Sequence, residues 1–206
     1  MKILALAPHT DDVEFGCGGT IHRLIEEGHE VRYIAFSDCK ESVPAGFEED
    51  VLRFELINAV KHLGIKKEKV KILDYKVRKF NFSRQEILED LVKIQREFMP
   101  DIVFTPCSTD IHQDHSTITE EATRAFKRST IYGYELPWNL FELPSRCLFK
   151  LEEKNLIAKN QAIAEYKTQY GRGYSNPDYI NALALTRGTR IGEKFAEAFE
   201  VIRLIN

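Results

Sequence analysis

The sequence predicts an α/β fold, with a mainly parallel sheet flanked by helices, in a single domain that spans residues 1–206. One observation predicts the fold class and a second predicts the single domain. Short apolar runs alternate along the chain with longer segments whose apolar residues recur every three or four positions, which is typical of βαβ units. A chain of 206 residues with 43% hydrophobic content also suits one core, because single cores stop growing at about 250–300 residues. We therefore expect one domain.

The predicted strands are short apolar runs. The first, Ile3-Leu4-Ala5-Leu6-Ala7, is continuous, as in a parallel strand that is buried on both faces. The last follows a predicted turn at Gly188 and Gly192. The seven predicted strands cover residues 3–7, 31–36, 70–73, 101–105, 131–136, 147–151 and 198–205.

The predicted helices are recognised from apolar spacing and from their boundary residues. Gly28 and Gly64 end the first two helices. Ser83 and Glu86 form a capping-box pattern at the start of the third, and Pro100 follows its end. The six predicted helices cover residues 20–27, 50–63, 83–98, 116–127, 152–166 and 178–186.

Charge and composition argue against several classes of protein. A formal charge of -3 and a pI near 6.1 give no attraction for nucleic acid. The longest N-terminal apolar run is five residues, whereas secretory signals need about 7–15, so we expect a cytoplasmic protein without membrane insertion. The four cysteines form no C-x-x-C pair, which favours reduced thiols.

A glycine cluster, Gly16-Cys17-Gly18-Gly19, follows the first predicted strand. A dinucleotide-binding loop with the pattern G-x-G-x-x-G would need a glycine at position 21, where Ile21 stands. Dinucleotide binding is therefore not expected. We interpret these glycines as positions where a helix packs closely on a strand.

Two short motifs carry the chemistry that the sequence suggests. His9-Thr10-Asp11-Asp12 follows the first strand, and His112-Gln113-Asp114-His115 follows the strand 101–105 after a loop. The carboxyl ends of parallel strands lie at one edge of a sheet, where α/β proteins form their binding crevice. Either motif alone would more often be a turn whose aspartate caps the backbone. Together they predict two halves of one site.

The residue types predict a zinc site. A catalytic zinc ion keeps three protein ligands and one open position. His9, Asp12 and His115 supply two imidazoles and one carboxylate. The other histidines, His22, His29 and His62, fall in helix or turn contexts and are expected at the surface.

The remaining polar residues of the two motifs have predicted roles beside the metal. Asp11 is expected to act as general base on a metal-activated water. His112 is expected to stabilise the oxyanion and to protonate the leaving amine. Asp114 is a weaker candidate, as a residue that orients His112.

The run from residue 8 to residue 20, together with residues 112–115, resembles the PIG-L/LmbE superfamily of zinc-dependent N-deacetylases. The resemblance continues through Arg53, Glu55, Leu63-Gly64, Arg187-Gly188, Gly192 and residues 197–199, so that it covers nearly the whole chain. Two positions depart from the pattern of the family. Thr10 replaces a common proline, and Val13 replaces a frequent acidic residue.

The resemblance implies a Rossmann-like fold and an enzyme that removes acetyl groups from N-acetylglucosamine units. It also implies zinc at His9, Asp12 and His115, a base at Asp11, and an electrophilic or acid histidine at His112. These are the roles that the residue types suggest independently.

The substrate is predicted less sharply. Glu135, Trp138 and Asn139 follow a predicted strand and could line a sugar pocket, since an indole stacks on a sugar face while polar groups bind hydroxyls. Packing of Trp138 under its loop is an equal alternative. Arg53 could meet a phosphate or hydroxyl group, although a helix-face arginine is more often solvated. We expect a small soluble N-acetylated sugar, nucleotide-linked forms included.

Other functions remain open from the sequence alone. His112-x-Asp114 with a distant histidine also fits the facial triad of iron(II) oxygenases, although those usually need a β-rich fold. A non-catalytic metal- or sugar-binding module is a third possibility. The sequence also leaves open whether iron(II) or another divalent ion replaces zinc, and whether the chain forms a homo-oligomer.

Overall fold

The computed structural model describes residues 1–142 and 144–206. Its centre is a seven-stranded sheet in the order β3-β2-β1-β4-β5-β7-β6. The strands are β1 (Lys2–Ala7), β2 (Glu30–Ala35), β3 (Val70–Ile72), β4 (Ile102–Pro106), β5 (Thr130–Tyr134), β6 (Ser145–Leu151) and β7 (Phe195–Arg203). The six helices are α1 (Asp12–Glu26), α2 (Val51–His62), α3 (Arg84–Phe98), α4 (Gln113–Ala125), α5 (Glu153–Ala164) and α6 (Pro177–Thr189).

The pairing of the strands confirms the predicted α/β class with a mainly parallel sheet. Strands β1 to β5 pair in parallel, as repeated strand-helix connections require. The last strand, β7, lies between β5 and β6 and is antiparallel to both. The chain therefore finishes with an antiparallel extension at one side of the sheet.

Each face of the sheet is covered by helices, which explains why its central strands are continuously apolar. Ile3, Ala5 and Ala7 of β1 belong to one core cluster, which also contains residues of α1, α2, α5 and α6. Leu4 and Leu6 point to the opposite cluster, with residues of α3 and α4. Burial on both faces selects apolar residues at every position of the strand.

The first helix begins earlier than predicted. It starts at Asp12 and not at Thr20, and it bends at Cys17, whose backbone leaves the helical region (φ -147°, ψ 21°). Gly16 and Gly19 lie where this helix packs directly on the sheet, whereas a Cβ at Gly18 would meet Lys159 and Leu63 at ordinary contact distance. A Cβ at Gly16 would overlap the Tyr134 ring, so only glycine fits there. Close packing was the predicted role of the cluster.

Other boundaries also differ from the prediction. Helix α4 begins at Gln113, three residues early, so that the second motif forms its first turn. Ser83 does precede α3, but its side chain makes no capping hydrogen bond, and the predicted capping box is wrong. Gly188 lies within α6 rather than in a turn. These differences are shifts of element ends and leave the order of elements unchanged.

The topology creates a crevice between β1 and β4. From β1 the chain adds β2 and then β3 on one side, whereas β4 and β5 continue on the other side. The connections that leave β1 and β4 therefore diverge to opposite faces, which is the switch point where α/β sheets bind ligands. Both predicted motifs lie at this point. None of the six helices that the structure describes combines the length and the apolar character that a membrane-spanning segment needs.

Candidate active site

Three side chains from the two sequence motifs converge at the switch point. His9 follows β1, Asp12 opens α1, and His115 lies in the first turn of α4. Asp12 Oδ2 is 3.2 Å from His9 Nδ1 and 3.4 Å from His115 Nε2, and the two nitrogens are 3.1 Å apart. We call these three atoms the ligand triangle.

The ring orientation of both histidines is set by carboxylates behind them. His9 Nε2 lies 3.1 Å from Asp114 Oδ2, and His115 Nδ1 lies 2.8 Å from Asp110 Oδ2. A carboxylate accepts a hydrogen bond, so each of these outer nitrogens carries the proton. In a neutral ring the other nitrogen, which faces the ligand triangle, then has no proton and offers a lone pair. The structure thus directs two lone pairs and a carboxylate oxygen at one point.

This geometry fits a divalent metal ion. Donors placed tetrahedrally at about 2.0–2.1 Å from zinc would be about 3.3 Å from one another, which matches the edges of the ligand triangle.

The electrostatics of the site also favour a cation. Burial lowers the pKa of His9, but the Asp12 carboxylate and the hydrogen bond to Asp114 raise it by more, so its net pKa lies well above the usual value. Burial raises the pKa of Asp12, yet the charges of His115 and His9 bring it far below its usual range. The site therefore favours positive charge.

Asp11 differs from its neighbour Asp12. It lines the cavity in front of the triangle, and no described side chain donates a hydrogen bond to its carboxylate. Burial, followed by the charge of Asp12, raises its pKa to about 6. A carboxylate with such a pKa is ionised at neutral pH yet is a better proton acceptor than an ordinary aspartate.

His112 lies beside the triangle as a third imidazole. Its ligand nitrogen lies within 4.8 Å of those of His9 and His115. The Asp114 backbone N–H donates to His112 Nδ1 at 3.2 Å, which leaves the proton of the neutral ring on Nε2. Burial and the neighbouring His115 and His9 lower the pKa of His112 to about 4. His112 is thus a neutral hydrogen-bond donor on the wall of the cavity.

The cavity in front of these residues has a volume of about 540 Å³. This is within the range of about 300–1,000 Å³ for small-molecule sites. Besides the polar residues it contains an aromatic wall. Trp138 stacks on Tyr174 with ring centroids 4.3 Å apart, and the Phe15 ring meets both edge-on. Asn139, Gln169 and Arg172 add hydrogen-bonding groups to the same lining.

Two predicted substrate residues lie elsewhere. Glu135 is 4% exposed and forms a two-pronged ion pair with Arg187, at 2.7 and 2.9 Å, so its carboxylate is already occupied. Arg53 lines a separate cavity and pairs with Asp38 at 3.6 Å. Neither contacts the cavity of the ligand triangle. Trp138, by contrast, does line it, with one ring face covered by Tyr174.

Asp114 contacts both His9 and His112, through different atoms. Its carboxylate accepts hydrogen bonds from the backbone N–H groups of Arg78 and Phe80 and orients His9, whereas its backbone N–H is the group that contacts His112. A facial triad through His112 and Asp114 is therefore not available. The sequence-based reasoning also missed Asp110, which orients His115 and accepts the His112 backbone N–H at 2.8 Å. Its only sequence signal was an acidic residue in the loop before the second motif.

Comparisons with known proteins agree with this site and fold. The family model for PIG-L, described as GlcNAc-PI de-N-acetylase, matches residues 4–126, which contain both motifs. The diacetylchitobiose deacetylase of Thermococcus kodakarensis is 30% identical over 98% of this chain and 83% of its own length. The uncharacterized deacetylase YaiS of Escherichia coli is 25% identical over 81% of this chain and 90% of its own.

Solved structures share the whole fold. A conserved protein from Thermus thermophilus superimposes with a TM-score of 0.81 and 20% identity, over 99% of this chain and 95% of that one. The N,N'-diacetylchitobiose deacetylase of Pyrococcus horikoshii gives 0.77 and 23%, over 98% and 83%. Since a family model covers more than half of the residues and a relative matches almost all of them, this chain belongs to the PIG-L family, as its two motifs predict.

Proposed function

We propose that this chain is a zinc-dependent N-deacetylase that removes the acetyl group from an N-acetylated amino sugar of the N-acetylglucosamine type. The observation that carries the proposal is the ligand triangle, with edges of 3.1–3.4 Å and a carboxylate behind each imidazole. Two imidazoles and one carboxylate with an open position suit hydrolytic zinc, and the same set also accepts iron(II). When bound, such an ion supplies Lewis acidity toward the acetyl carbonyl and the attacking water.

Asp11 is the proposed proton acceptor. It lines the cavity beside the ligand triangle, and its carboxylate is not bound by another described side chain. In our proposal Asp11 takes a proton from the water that attacks the acetyl carbon. The same carboxyl group then returns a proton to the leaving nitrogen, so that one water and one amide become acetate and a free amine.

His112 is the proposed oxyanion donor. Its Nδ1 accepts the Asp114 N–H, so Nε2–H is the group available to substrate. A hydrogen bond from this N–H would strengthen as negative charge develops on the carbonyl oxygen. Because its pKa is lowered to about 4, His112 stays neutral and is a poor proton donor. We therefore assign the proton for the amine to Asp11 rather than to His112.

The aromatic wall supports a sugar as the substrate. Trp138 and Tyr174 present ring surface in the cavity, while Asn139, Gln169 and Arg172 can bind hydroxyl groups. Aromatic faces pack on the apolar faces of sugar rings, and polar side chains set their orientation. The relative at 30% identity is named a diacetylchitobiose deacetylase, which supports an N-acetylated sugar here.

The test is acetate release from a panel of N-acetylated sugars by zinc-loaded protein. N-acetylglucosamine, diacetylchitobiose and a nucleotide-linked N-acetylglucosamine cover the free and linked forms. We expect acetate and free amine in equal amounts from at least one of them. Asp11→Asn should lower kcat by about 10²–10⁴-fold with the metal retained, whereas Asp12→Asn should lose the metal.

A matched control is Asp38→Asn. Asp38 follows β2 at the same edge of the sheet, but it pairs with Arg53 outside the cavity of the ligand triangle, so its loss should leave kcat unchanged. Metal and sugar binding without acetate release would instead indicate a binding module. Oxygen consumption that depends on iron(II) would indicate an oxygenase.

A further inference from the structure

The carbonyl oxygen of Thr10 is held by two buried tyrosines. Tyr33 Oη, from β2, lies 3.0 Å from it, and Tyr166 Oη, from the residues after α5, lies 2.5 Å from it. Thr10 is 1% exposed and the two tyrosines are 0% and 2% exposed. Thr10 lies between His9 and Asp12 and immediately precedes Asp11. Two hydroxyl groups from distant parts of the chain thus meet at the backbone of the first motif.

Glu14 connects the two tyrosines. Its Oε2 lies 2.8 Å from Tyr33 Oη and its Oε1 lies 3.2 Å from Tyr166 Oη. Glu14 is fully buried in the first turn of α1. Each phenol has one proton, and each hydroxyl lies within hydrogen-bond distance of both the Thr10 carbonyl and Glu14, so the four groups form one shared network. We call Tyr33, Tyr166 and Glu14 the tyrosine brace.

The tyrosine brace does not contact the substrate cavity. None of its three residues is part of the lining, which includes Thr10 and Asp11. The brace therefore acts through the backbone. Because a peptide unit is planar, fixing the Thr10 carbonyl also fixes the amide nitrogen and the Cα of Asp11, the atom from which the Asp11 side chain leaves the chain.

Asp11 depends on its backbone more than the neighbouring site residues do. His9 is oriented by Asp114, and His115 by Asp110, through side-chain hydrogen bonds. The Asp12 carboxylate accepts the His9 backbone N–H at 2.7 Å. No described side chain donates a hydrogen bond to Asp11. Its position relative to the ligand triangle therefore depends on its backbone, which is held on one side by the Thr10–Asp11 peptide and on the other by the Asp11 carbonyl, the acceptor of the Phe15 N–H at 3.1 Å.

We propose that Tyr33 and Tyr166, tied together by Glu14, are positioning residues that hold Asp11 in the geometry for proton transfer. The inference rests on the proposed function of Asp11. A misplacement of about 1 Å in a reacting group can cost on the order of a hundredfold in rate. The brace should therefore affect turnover and leave metal binding intact.

The test compares Tyr33→Phe, Tyr166→Phe and the double variant with wild type. Each single variant should lower kcat on the order of tenfold, and the double variant on the order of a hundredfold. KM and the number of metal ions per chain should not change. Tyr134→Phe is the matched control, because Tyr134 is equally buried and its Oη donates to a different main-chain carbonyl, that of Leu6, at 2.9 Å.

A purely structural role for these hydroxyl groups would lower kcat equally in Tyr134→Phe, which would overturn the proposal. Wild-type kcat in the double variant would overturn it as well. A crystal structure of the double variant gives a readout independent of activity. We expect the Asp11 carboxylate to be displaced while the ligand triangle keeps its shape, and an unmoved Asp11 would refute the brace. If wild-type protein releases no acetate from any N-acetylated sugar, the proposed function fails, and the crystal structure still decides on the brace.

Discussion

Helix α1 meets buried carboxylates at two places, and the two differ in how their polar atoms are satisfied. At its first turn, Asp12 Oδ2 faces the inner nitrogens of His9 and His115 in the ligand triangle. Past the bend at Cys17, Glu197 accepts the backbone N–H groups of Gly19 at 3.1 Å and Thr20 at 2.7 Å. The second place pairs its carboxylate oxygens with backbone donors and a lysine, whereas at the first place Asp12 Oδ2 accepts the His9 backbone N–H and also lies within 3.4 Å of two imidazole nitrogens.

Lys159 completes the second arrangement. Its Nζ lies 2.6 Å from Glu197 Oε1 and donates to the Phe15 carbonyl at 2.7 Å, which the bend leaves without its usual helical partner. We call Lys159 and Glu197 the kink clasp. Buried polar groups are normally paired within the protein, as they are here. In the ligand triangle two imidazole nitrogens and a carboxylate oxygen instead converge on one point, and such a convergence indicates a metal site.

Among the variants that test this comparison, we expect Lys159→Met to have the largest effect, on the free energy of unfolding. The variant leaves the Glu197 carboxylate buried without its cation, which should cost about 3–5 kcal/mol of the free energy of unfolding. Metal affinity of the folded fraction should not change. Urea denaturation of metal-free protein measures the first quantity, and a chelator titration measures the second.

Lys154→Met is the control for Lys159→Met. Lys154 also pairs with acidic residues, Glu26 and Glu152, but its side chain is 56% exposed. Surface ion pairs contribute about 0–1 kcal/mol, so this change should have little effect. Equal destabilisation by the two substitutions would contradict the role given to the kink clasp.

Glu14 sharpens the comparison, because it is a second buried acid on α1 itself and its side-chain partners are the neutral phenols of Tyr33 and Tyr166. Burial raises its pKa to about 8, although the hydrogen bonds from Tyr33 and Tyr166 oppose the shift. The folded protein therefore binds this proton more tightly than the unfolded chain does. Its contribution to stability is complete below about pH 4.5 and is lost as the pH rises toward about 8.

The measurement is the pH dependence of urea denaturation for metal-free wild type and Glu14→Gln. Between about pH 5 and pH 7, the wild-type free energy of unfolding should fall more steeply than that of the variant, by up to about 1.4 kcal/mol per pH unit. Other groups titrate in both proteins and cancel in the difference. Parallel curves would show that Glu14 is ionised in the folded protein.

The smallest effect that we expect concerns the carboxylates behind the ligand triangle. Asp110→Asn replaces the acceptor for His115 Nδ1–H by a neutral amide and should weaken metal affinity by about 10–100-fold. Competition with a coloured chelator measures the change, and Asp38→Asn again serves as the control. Unchanged affinity in Asp110→Asn would mean that the helix alone orients His115.

The elements of the fold were predictable where their signals are local. Continuous apolar runs predicted the parallel strands, and the alternation with helices predicted the α/β class, which the structure confirms. The start of α1 was predicted wrongly, because glycines and a bend inside a helix look like a loop in the sequence. The helix persists there because Gly16 lets it lie against Tyr134 and because the kink clasp takes the hydrogen bonds that the bend leaves open.

The sequence predicted the position of some residues of the candidate site and misplaced others. His9, Asp11, Asp12, His112 and His115 are residue types that bind metals or transfer protons and that follow two strand ends, and the structure brings them to one cavity. Glu135 was assigned to the substrate because an acidic residue after a strand looks available. Its partner Arg187 is 52 positions away, and nothing near Glu135 in the sequence signals that ion pair.

By itself the sequence determined the order of strands and helices and the side chains that follow β1 and β4, because apolar periodicity and residue type are local properties. Only the tertiary structure decided which nitrogen of each imidazole faces the ligand triangle. That choice depends on carboxylates such as Asp114, which lies 105 positions from His9 and meets it only because β1 and β4 are neighbours in the sheet. The same applies to the tyrosine brace, whose hydroxyl groups come from distant parts of the chain and converge through packing.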